Sequence, residues 1–90
     1  METMNFGDAL KQLKVGGKVA RLGWNGGVGI YIELQVPDDG SKMTFPYIYI
    51  DTTALDEFTS VWAPKGRVPW APGQADVLAE DWCLVEWLVD

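Results

Sequence analysis

Apolar residues near the start of the chain recur at helical spacing and predict an N-terminal helix over Asn5–Lys14. The side chains that share this apolar stripe are Phe6, Ala9, Leu10 and Leu13. Asn5 is a favourable N-cap, because its side chain can accept a hydrogen bond from an N–H group of the first turn. Gly16 and Gly17 follow the last apolar position and end the helix.

Farther along, apolar and polar residues alternate over short segments, as they do in strands with one buried face. The predicted strands are Lys18–Leu22, Val28–Val36, Tyr47–Ile50, Ser60–Ala63 and Asp81–Val89. A short second helix is predicted over Gln74–Ala79, with Val77 and Leu78 as its buried residues. The segment Asp51–Thr59 fits either a helical turn or a loop.

The resulting order, α-β-β-β-β-α-β with short connections, is typical of the α+β class. We therefore predict a small single domain, residues 1–90, in which the N-terminal helix packs on a mostly antiparallel β-sheet. The second short helix lies near the C-terminus. Ninety residues are too few for a second independent core, and a hydrophobic fraction of 48% is ordinary for a folded protein.

Composition removes several functional classes. The chain has no His and one Cys, which excludes Ser-His-Asp or Cys-His catalytic groups, imidazole metal sites and an internal disulfide. We expect neither a metal nor a cofactor. No apolar run approaches the roughly 20 residues of a membrane span, and no signal peptide is evident, which favours the cytoplasm. A net charge of −6 argues against nucleic acid polymers as partners, although it leaves room for one local basic pocket.

The acidic residues themselves suggest no catalytic pair. They occur side by side, as Asp38-Asp39, Asp56-Glu57 and Glu80-Asp81. Neighbouring residues of a strand point to opposite faces, so these pairs do not oppose each other across a substrate, and we expect a solvated surface. Cys83 is expected in the core, and Trp82 and Trp87 in the core or at a subunit interface.

The first segment with binding chemistry is the loop after the first predicted strand. Trp24 offers a flat face for a base or sugar, and Asn25 offers both a donor and an acceptor. Arg21 can pair with a phosphate, and the glycines that begin at Gly26 allow backbone amides to approach an anion. The alternative interpretation is a tight Asn-Gly hairpin with Trp24 packed in the core.

The second segment surrounds Trp70, which Pro69 and Pro72 hold in a stiff loop. Gln74 and Asp76 begin the short helix that follows and could contact a base edge or ribose hydroxyls. The alternative interpretation is that the prolines shape a turn and that Asp76 only satisfies the start of the helix.

Three spaced motifs now resemble a known family. They are Met4-Asn5-Phe6-Gly7-Asp8-Ala9-Leu10, Lys18-Val19-Ala20-Arg21-Leu22-Gly23-Trp24-Asn25-Gly26, and Val68-Pro69-Trp70 with Gln74, Asp76 and Leu78-Ala79-Glu80-Asp81-Trp82. Together they resemble the Thoeris anti-defence 2 family of small phage and prophage proteins. The resemblance implies a non-enzymatic sponge that binds a cyclic nucleotide-like immune signal, a glycocyclic ADP-ribose, in the bacterial cytoplasm and keeps the Thoeris effector inactive. It also implies homo-oligomers, tetramers in known cases, and in some members binding of cyclic oligonucleotides.

The candidate residues suit such a ligand. Trp24 and Trp70 would stack on the adenine. The hydroxyl and amino groups of the ligand would form hydrogen bonds with Asn25, Gln74 and Asp76. Its phosphates would bind Arg21 and the backbone amides at Gly26. Five Trp, three Tyr and three Phe are more aromatic surface than a small core readily buries, which also favours self-association.

Two other functional classes remain open. In one, the chain is an enzyme that degrades the signal, with Asp76 or Glu80 as general base. In the other, it is an interaction module that binds a host protein or a sugar through its aromatic residues.

Overall fold

The computed structural model describes residues 2–24, 28–55 and 65–86. Two helices and five strands follow one another in this part of the chain. They are α1 (Phe6–Lys14), β1 (Val19–Arg21), β2 (Tyr31–Gln35), β3 (Tyr47–Asp51), β4 (Arg67–Pro69), α2 (Gln74–Val77) and β5 (Trp82–Leu84).

The five strands form one antiparallel sheet in the order β4-β3-β2-β1-β5. The last strand therefore lies beside the first, and Arg21 of β1 is directly opposite Trp82 of β5. An isolated bridge between Met4 and Trp82 extends this edge, with hydrogen bonds of 2.7 and 3.1 Å between their backbones. The sheet thereby joins the start of the described chain to its end.

Helix α1 begins and ends as its sequence dictates. The Asn5 side chain accepts a hydrogen bond of 2.8 Å from the Asp8 N–H group, which caps the first turn. At the other end, Gly16 adopts a φ of 91°, a left-handed conformation that favours glycine. The Gly16 and Gly17 amides then donate to the carbonyls of Leu13 and Gln12.

The core lies between α1 and one face of the sheet. Its fully buried side chains are Ala9 and Leu13 of the helix with Val19, Ile32 and Trp82 of the sheet. Strand alternation places Ile32 and its register partner Ile50 on this face. Tyr31, Glu33 and Gln35 consequently point to the opposite face of the sheet.

The structure confirms the predicted fold class and several of its details. The N-terminal helix, the antiparallel sheet and the short second helix are all present, and Trp82 and Cys83 are buried. The second strand begins at Tyr31 instead of Val28, because Gly29 adopts a φ of 93° and interrupts the extended chain. None of the helices in residues 2–24, 28–55 and 65–86 is long and apolar enough to cross a membrane.

Other details of the prediction are wrong or untested. Helix α2 ends at Val77, and the side chains of Val77 and Leu78, predicted to be buried, are exposed. The reason is that this single turn is held to the sheet by contacts of Asp76, which leaves its apolar side chains pointing outward. The fourth strand is Arg67–Pro69, and the predicted strand Ser60–Ala63 lies outside the described residues.

Candidate functional site

The first element of the site is Arg21, which is held by two carboxylates. Its Nε group donates to Oδ1 of Asp81, and its Nη1 group donates to Oδ1 of Asp76, both at 2.9 Å. All three side chains are at most about a third exposed, so this network is better shielded from water than a surface ion pair. Arg21 thus ties the end of β1 to the segment that precedes β5 and to α2.

Asp81 also holds the turn that carries Trp24. Its second carboxylate oxygen accepts from the Gly23 N–H group at 3.0 Å, and its backbone carbonyl accepts from the Leu22 N–H group at 3.0 Å. Partial burial would raise the pKa of Asp81, but hydrogen bonds from Arg21 and Gly23 outweigh it and lower the pKa. The hydrogen bonds to Asp81 and Asp76 raise the pKa of Arg21, so the Arg21–Asp81 pair is charged at neutral pH.

Aromatic rings pack around Trp82 on the same side of the sheet. The ring centroids of Trp24, Phe6 and Trp70 lie 5.1, 5.4 and 5.9 Å from that of Trp82. Trp24 and Trp70 also contact each other edge to face, with centroids 6.2 Å apart. Both indoles are half-buried, so each rests partly on the core and partly faces solvent.

Helix α2 brings the remaining polar groups to this cluster. The indole N–H group of Trp82 donates to the Asp76 carbonyl at 2.9 Å. The second carboxylate oxygen of Asp76 accepts from the Gly73 N–H group at 3.1 Å, so this side chain both caps α2 and binds Arg21. Gln74 is exposed, and its side chain makes no hydrogen bond within the described part of the chain.

The structure therefore brings together most of the residues proposed from the sequence. Arg21, Trp24, Trp70, Gln74 and Asp76 lie in one region, which we call the tryptophan site. Asn25 and Gly26, the other two proposed ligand-binding residues, lie outside the described residues. Trp24 combines the two interpretations left open above, since part of its ring packs on the core and part remains accessible.

Sequence reasoning missed the role of Asp81. We expected the Glu80-Asp81 pair to be solvated surface, which is wrong for Asp81 because Arg21 and Gly23 bind both of its oxygens. The available signal was its position directly before an apolar strand, but only the pairing of β5 with β1 shows that Arg21 lies within reach.

The sequence was also compared with known proteins. It matches the Thoeris anti-defense 2-like domain over residues 4–85. This chain belongs to the Thoeris anti-defense 2-like family. One relative is the protein named Thoeris anti-defense 2 of Bacillus phage SP01, which is 36% identical over 85 residues, covering 91% of this chain and 94% of the relative. The family assignment therefore includes every residue of the tryptophan site.

This Thoeris anti-defense 2-like chain has a second polar cluster, on the sheet face opposite α1. The Asp51 side chain is completely buried and accepts hydrogen bonds from the Tyr31 hydroxyl, the Arg67 Nε group, and both the N–H and hydroxyl groups of Thr53, at 2.6 to 2.9 Å. Burial by itself would raise the pKa of Asp51, but these donors lower it to about 2. Burial and the bond to Asp51 raise the pKa of Tyr31 to about 12.

A cleft of about 410 Å³ opens beside this cluster. The residues that line it belong to β2, β3 and β4. They are Tyr31, Glu33, Gln35, Tyr47, Tyr49, Arg67, Val68 and Pro69. We call this surface the tyrosine face. The Tyr49 hydroxyl donates to the Glu33 carboxylate, and burial together with this bond raises the pKa of Tyr49. Sequence reasoning did not single out this face, although tyrosines alternate with apolar residues in Tyr47–Asp51.

No group of three or more His, Cys, Asp or Glu side chains is arranged to hold a metal ion within residues 2–24, 28–55 and 65–86.

Proposed function

We propose that this chain captures the signal molecule of the Thoeris defence system, a glycocyclic ADP-ribose, at the tryptophan site and sequesters it without breaking a bond. The downstream effector in the bacterial cytoplasm then receives no signal. Membership in the Thoeris anti-defense 2-like family supports an anti-defence role. The observation that carries the proposed mechanism is the pair of half-buried indoles beside a restrained arginine.

The two indoles provide a surface for the adenine. Base stacking on an aromatic side chain contributes about 1–3 kcal/mol per base. Because Trp24 and Trp70 already rest on Trp82, their positions are set before a ligand arrives and little side-chain entropy is lost on binding. A protein that works by sequestration benefits from such a preformed site, since slow release depends on contacts that need no rearrangement.

Arg21 can bind a phosphate without leaving its carboxylates. Its Nε and Nη1 groups are bound to Asp81 and Asp76, while Nη2 has no partner among the described residues. We therefore place a phosphate oxygen at Nη2, the guanidinium nitrogen that neither carboxylate occupies. Asp76 and Gln74, which would repel or only weakly attract phosphate, are placed at ribose hydroxyls or the adenine amino group.

We further propose that the ligand pocket is completed by a second copy of the chain, in a homo-oligomer of the tetrameric kind. The support is the eleven aromatic residues in 90, a larger aromatic surface than a core of this size readily covers. Size-exclusion chromatography with light scattering tests this directly. A single species of 10.0 kDa would contradict a shared pocket.

The capture itself is tested by mass spectrometry of small molecules. The protein is incubated with the signal, separated from free ligand and heat-denatured, and the released compound is analysed. We expect the intact signal. A degraded product would identify an enzyme instead, and no bound nucleotide would favour a protein- or sugar-binding module.

Two variants test the tryptophan site in the same assay. Trp24→Ala and Asp76→Ala are each expected to abolish capture, whereas Glu80→Ala, which removes an exposed neighbouring carboxylate, is expected to retain it. Circular dichroism serves as the folding control, and Asp76→Ala is expected to remain folded. If Trp24→Ala unfolds while Trp24→Leu, which fills the core without an aromatic face, folds and captures normally, Trp24 is a core residue and not a stacking residue.

A further inference from the structure

We propose that the cleft on the tyrosine face binds an uncharged saccharide, a pyranose ring or a short oligosaccharide, independently of the tryptophan site. This goes beyond the proposed function, because none of the residues of the tryptophan site lines the cleft. A volume of about 410 Å³ lies within the range of small-molecule sites and is sufficient for one or two sugar rings.

The cleft and the tryptophan site lie on opposite faces of the sheet. Trp82 and Arg21, opposite each other in register, belong to the face that α1 covers. Tyr31, Glu33 and Gln35 alternate with the core residue Ile32 and therefore lie on the other face. A ligand in one site consequently makes no contact with the other.

The charges in the cleft are paired. The Glu33 carboxylate lies 3.5 Å from the Lys18 ammonium group, and the Asp51 carboxylate accepts from the Arg67 guanidinium at 2.7 Å. The two charged side chains that line the cleft, Glu33 and Arg67, are opposite in sign and each is neutralised by its partner, so the cleft has no overall preference for an anion or a cation. It presents a mixture of donors and acceptors, which suits hydroxyl groups because each hydroxyl can both donate and accept.

One facing pair of side chains in the cleft is held by a hydrogen bond, and the next pair is available to bind a ligand. Tyr49 is fixed by its bond to Glu33, its partner across the β2–β3 pair. The next facing pair is Gln35 and Tyr47, whose side chains make no hydrogen bond within the described residues. Glu33 and Gln35 are two residues apart on one strand face, or about 7 Å, so both can contact a single ring-sized ligand.

The remaining lining provides apolar surface. Tyr47, Tyr49 and Pro69 are flat or compact side chains beside these polar groups. A pyranose has an apolar C–H face and hydroxyl groups around its edge, and it therefore matches a surface in which rings alternate with an amide, a carboxylate and a guanidinium. An open cleft of this kind suits a weak ligand, with a Kd of about 1 mM or somewhat tighter.

The test is a titration of the ¹⁵N-labelled full chain, followed by heteronuclear NMR, with glucose, N-acetylglucosamine and maltose as probes and AMP as the comparison. We expect at least one of the sugars to cause saturable shifts at the backbone amides of Glu33, Gln35 and Arg67. Gln35→Ala and Tyr47→Ala are expected to weaken binding at least about tenfold without unfolding the chain, because neither side chain is buried or hydrogen-bonded. Gln74→Ala, in the tryptophan site, is the matched control and is expected to leave the sugar shifts unchanged.

Three results would overturn the proposal. The first is the absence of saturable shifts with all three sugars. The second is that AMP, but no sugar, shifts the amides of the tyrosine face, which would identify a nucleotide site. The third is that sugar shifts occur only around Trp24 and Trp70. None of these results depends on whether the tryptophan site captures the Thoeris signal, so the two proposals can fail separately.

Discussion

Asp51 provides the most direct test of the electrostatic reasoning. Its side chain is completely buried and accepts four hydrogen bonds, from Tyr31, Arg67 and both donors of Thr53. Asp51→Asn preserves the shape of the side chain but removes the charge. Whichever carboxylate oxygen the amide N–H₂ group replaces, it faces a donor that cannot accept in return, the Thr53 N–H group at Oδ1 or the Arg67 Nε group at Oδ2. At least one of these bonds is therefore lost.

The size of the effect follows from the pKa of Asp51. A decrease from 3.8 to about 2 corresponds to about 2 kcal/mol of stabilisation at neutral pH. Because the pKa is lowered by folding, this stabilisation is fully present above the unfolded value and is lost as the pH falls from about 4 to about 2. Asp51→Asn should therefore lower the free energy of unfolding by about 2 kcal/mol at pH 7, or the Tm by about 10 °C in a domain of this size.

The assay is urea denaturation followed by tryptophan fluorescence, at several pH values between 7 and 2. The difference between the native chain and Asp51→Asn should narrow steadily below pH 4. Asp39→Asn is the control, because Asp39 is exposed, and it should change stability by less than about 0.5 kcal/mol at any pH. A difference that stays constant from pH 7 to pH 2 would refute the assignment of this stabilisation to the Asp51 charge.

Substitutions at three further positions test other parts of the fold by the same denaturation assay. Asp81→Asn should lower the free energy of unfolding by about 1–3 kcal/mol at pH 7, since it removes a charge-assisted partner of Arg21. This loss should become smaller in acid, because folding lowers the pKa of Asp81, and an equal loss at low pH would contradict the prediction. Asn5→Ala should lower the free energy of unfolding by about 1 kcal/mol, whereas Asn5→Asp, which keeps a capping oxygen, should lower it much less. Equal effects of the two substitutions would show that the cap does not contribute to stability. Gly16→Ala should lower the free energy of unfolding by about 1–2 kcal/mol, because alanine is strained at the positive φ of this position. A Cβ atom there meets no other atom within 4 Å, so a steric clash does not contribute, and unchanged stability would show that the turn relaxes freely.

The sequence was sufficient where local rules determine the structure. Helix α1 has its apolar stripe, its cap and its terminating glycines within thirteen consecutive residues, and the structure places it within one residue of the prediction. The two tryptophans of the site could be named for a similar reason. A glycine-rich turn and a proline-bounded loop both indicate an aromatic side chain held at the surface, and Trp24 and Trp70 are half-buried there.

The features that escaped prediction depend on strand pairing between distant residues. Asp51 stands in a segment that fitted a turn or a loop, and Arg67 reaches it only because β4 pairs with β3 in register. The strand β4 itself has three residues and ends in proline, which is tolerated because β4 lies at the edge of the sheet that the described residues form. Val77 and Leu78 are apolar and were predicted to be buried, but a helix of one turn is too short to cover both side chains.

The position of β5 beside β1 determines when the tryptophan site can form during synthesis. Arg21 is bound by residues 55 and 60 positions later in the chain, and the indole on which Trp24 rests belongs to β5. Such long-range contacts form late, because each requires the intervening chain to be present. The chain must therefore be synthesised beyond residue 82 before the site is complete. A chain that ends before residue 81 would retain every residue of the tyrosine face, but it would lack the groups that position Trp24.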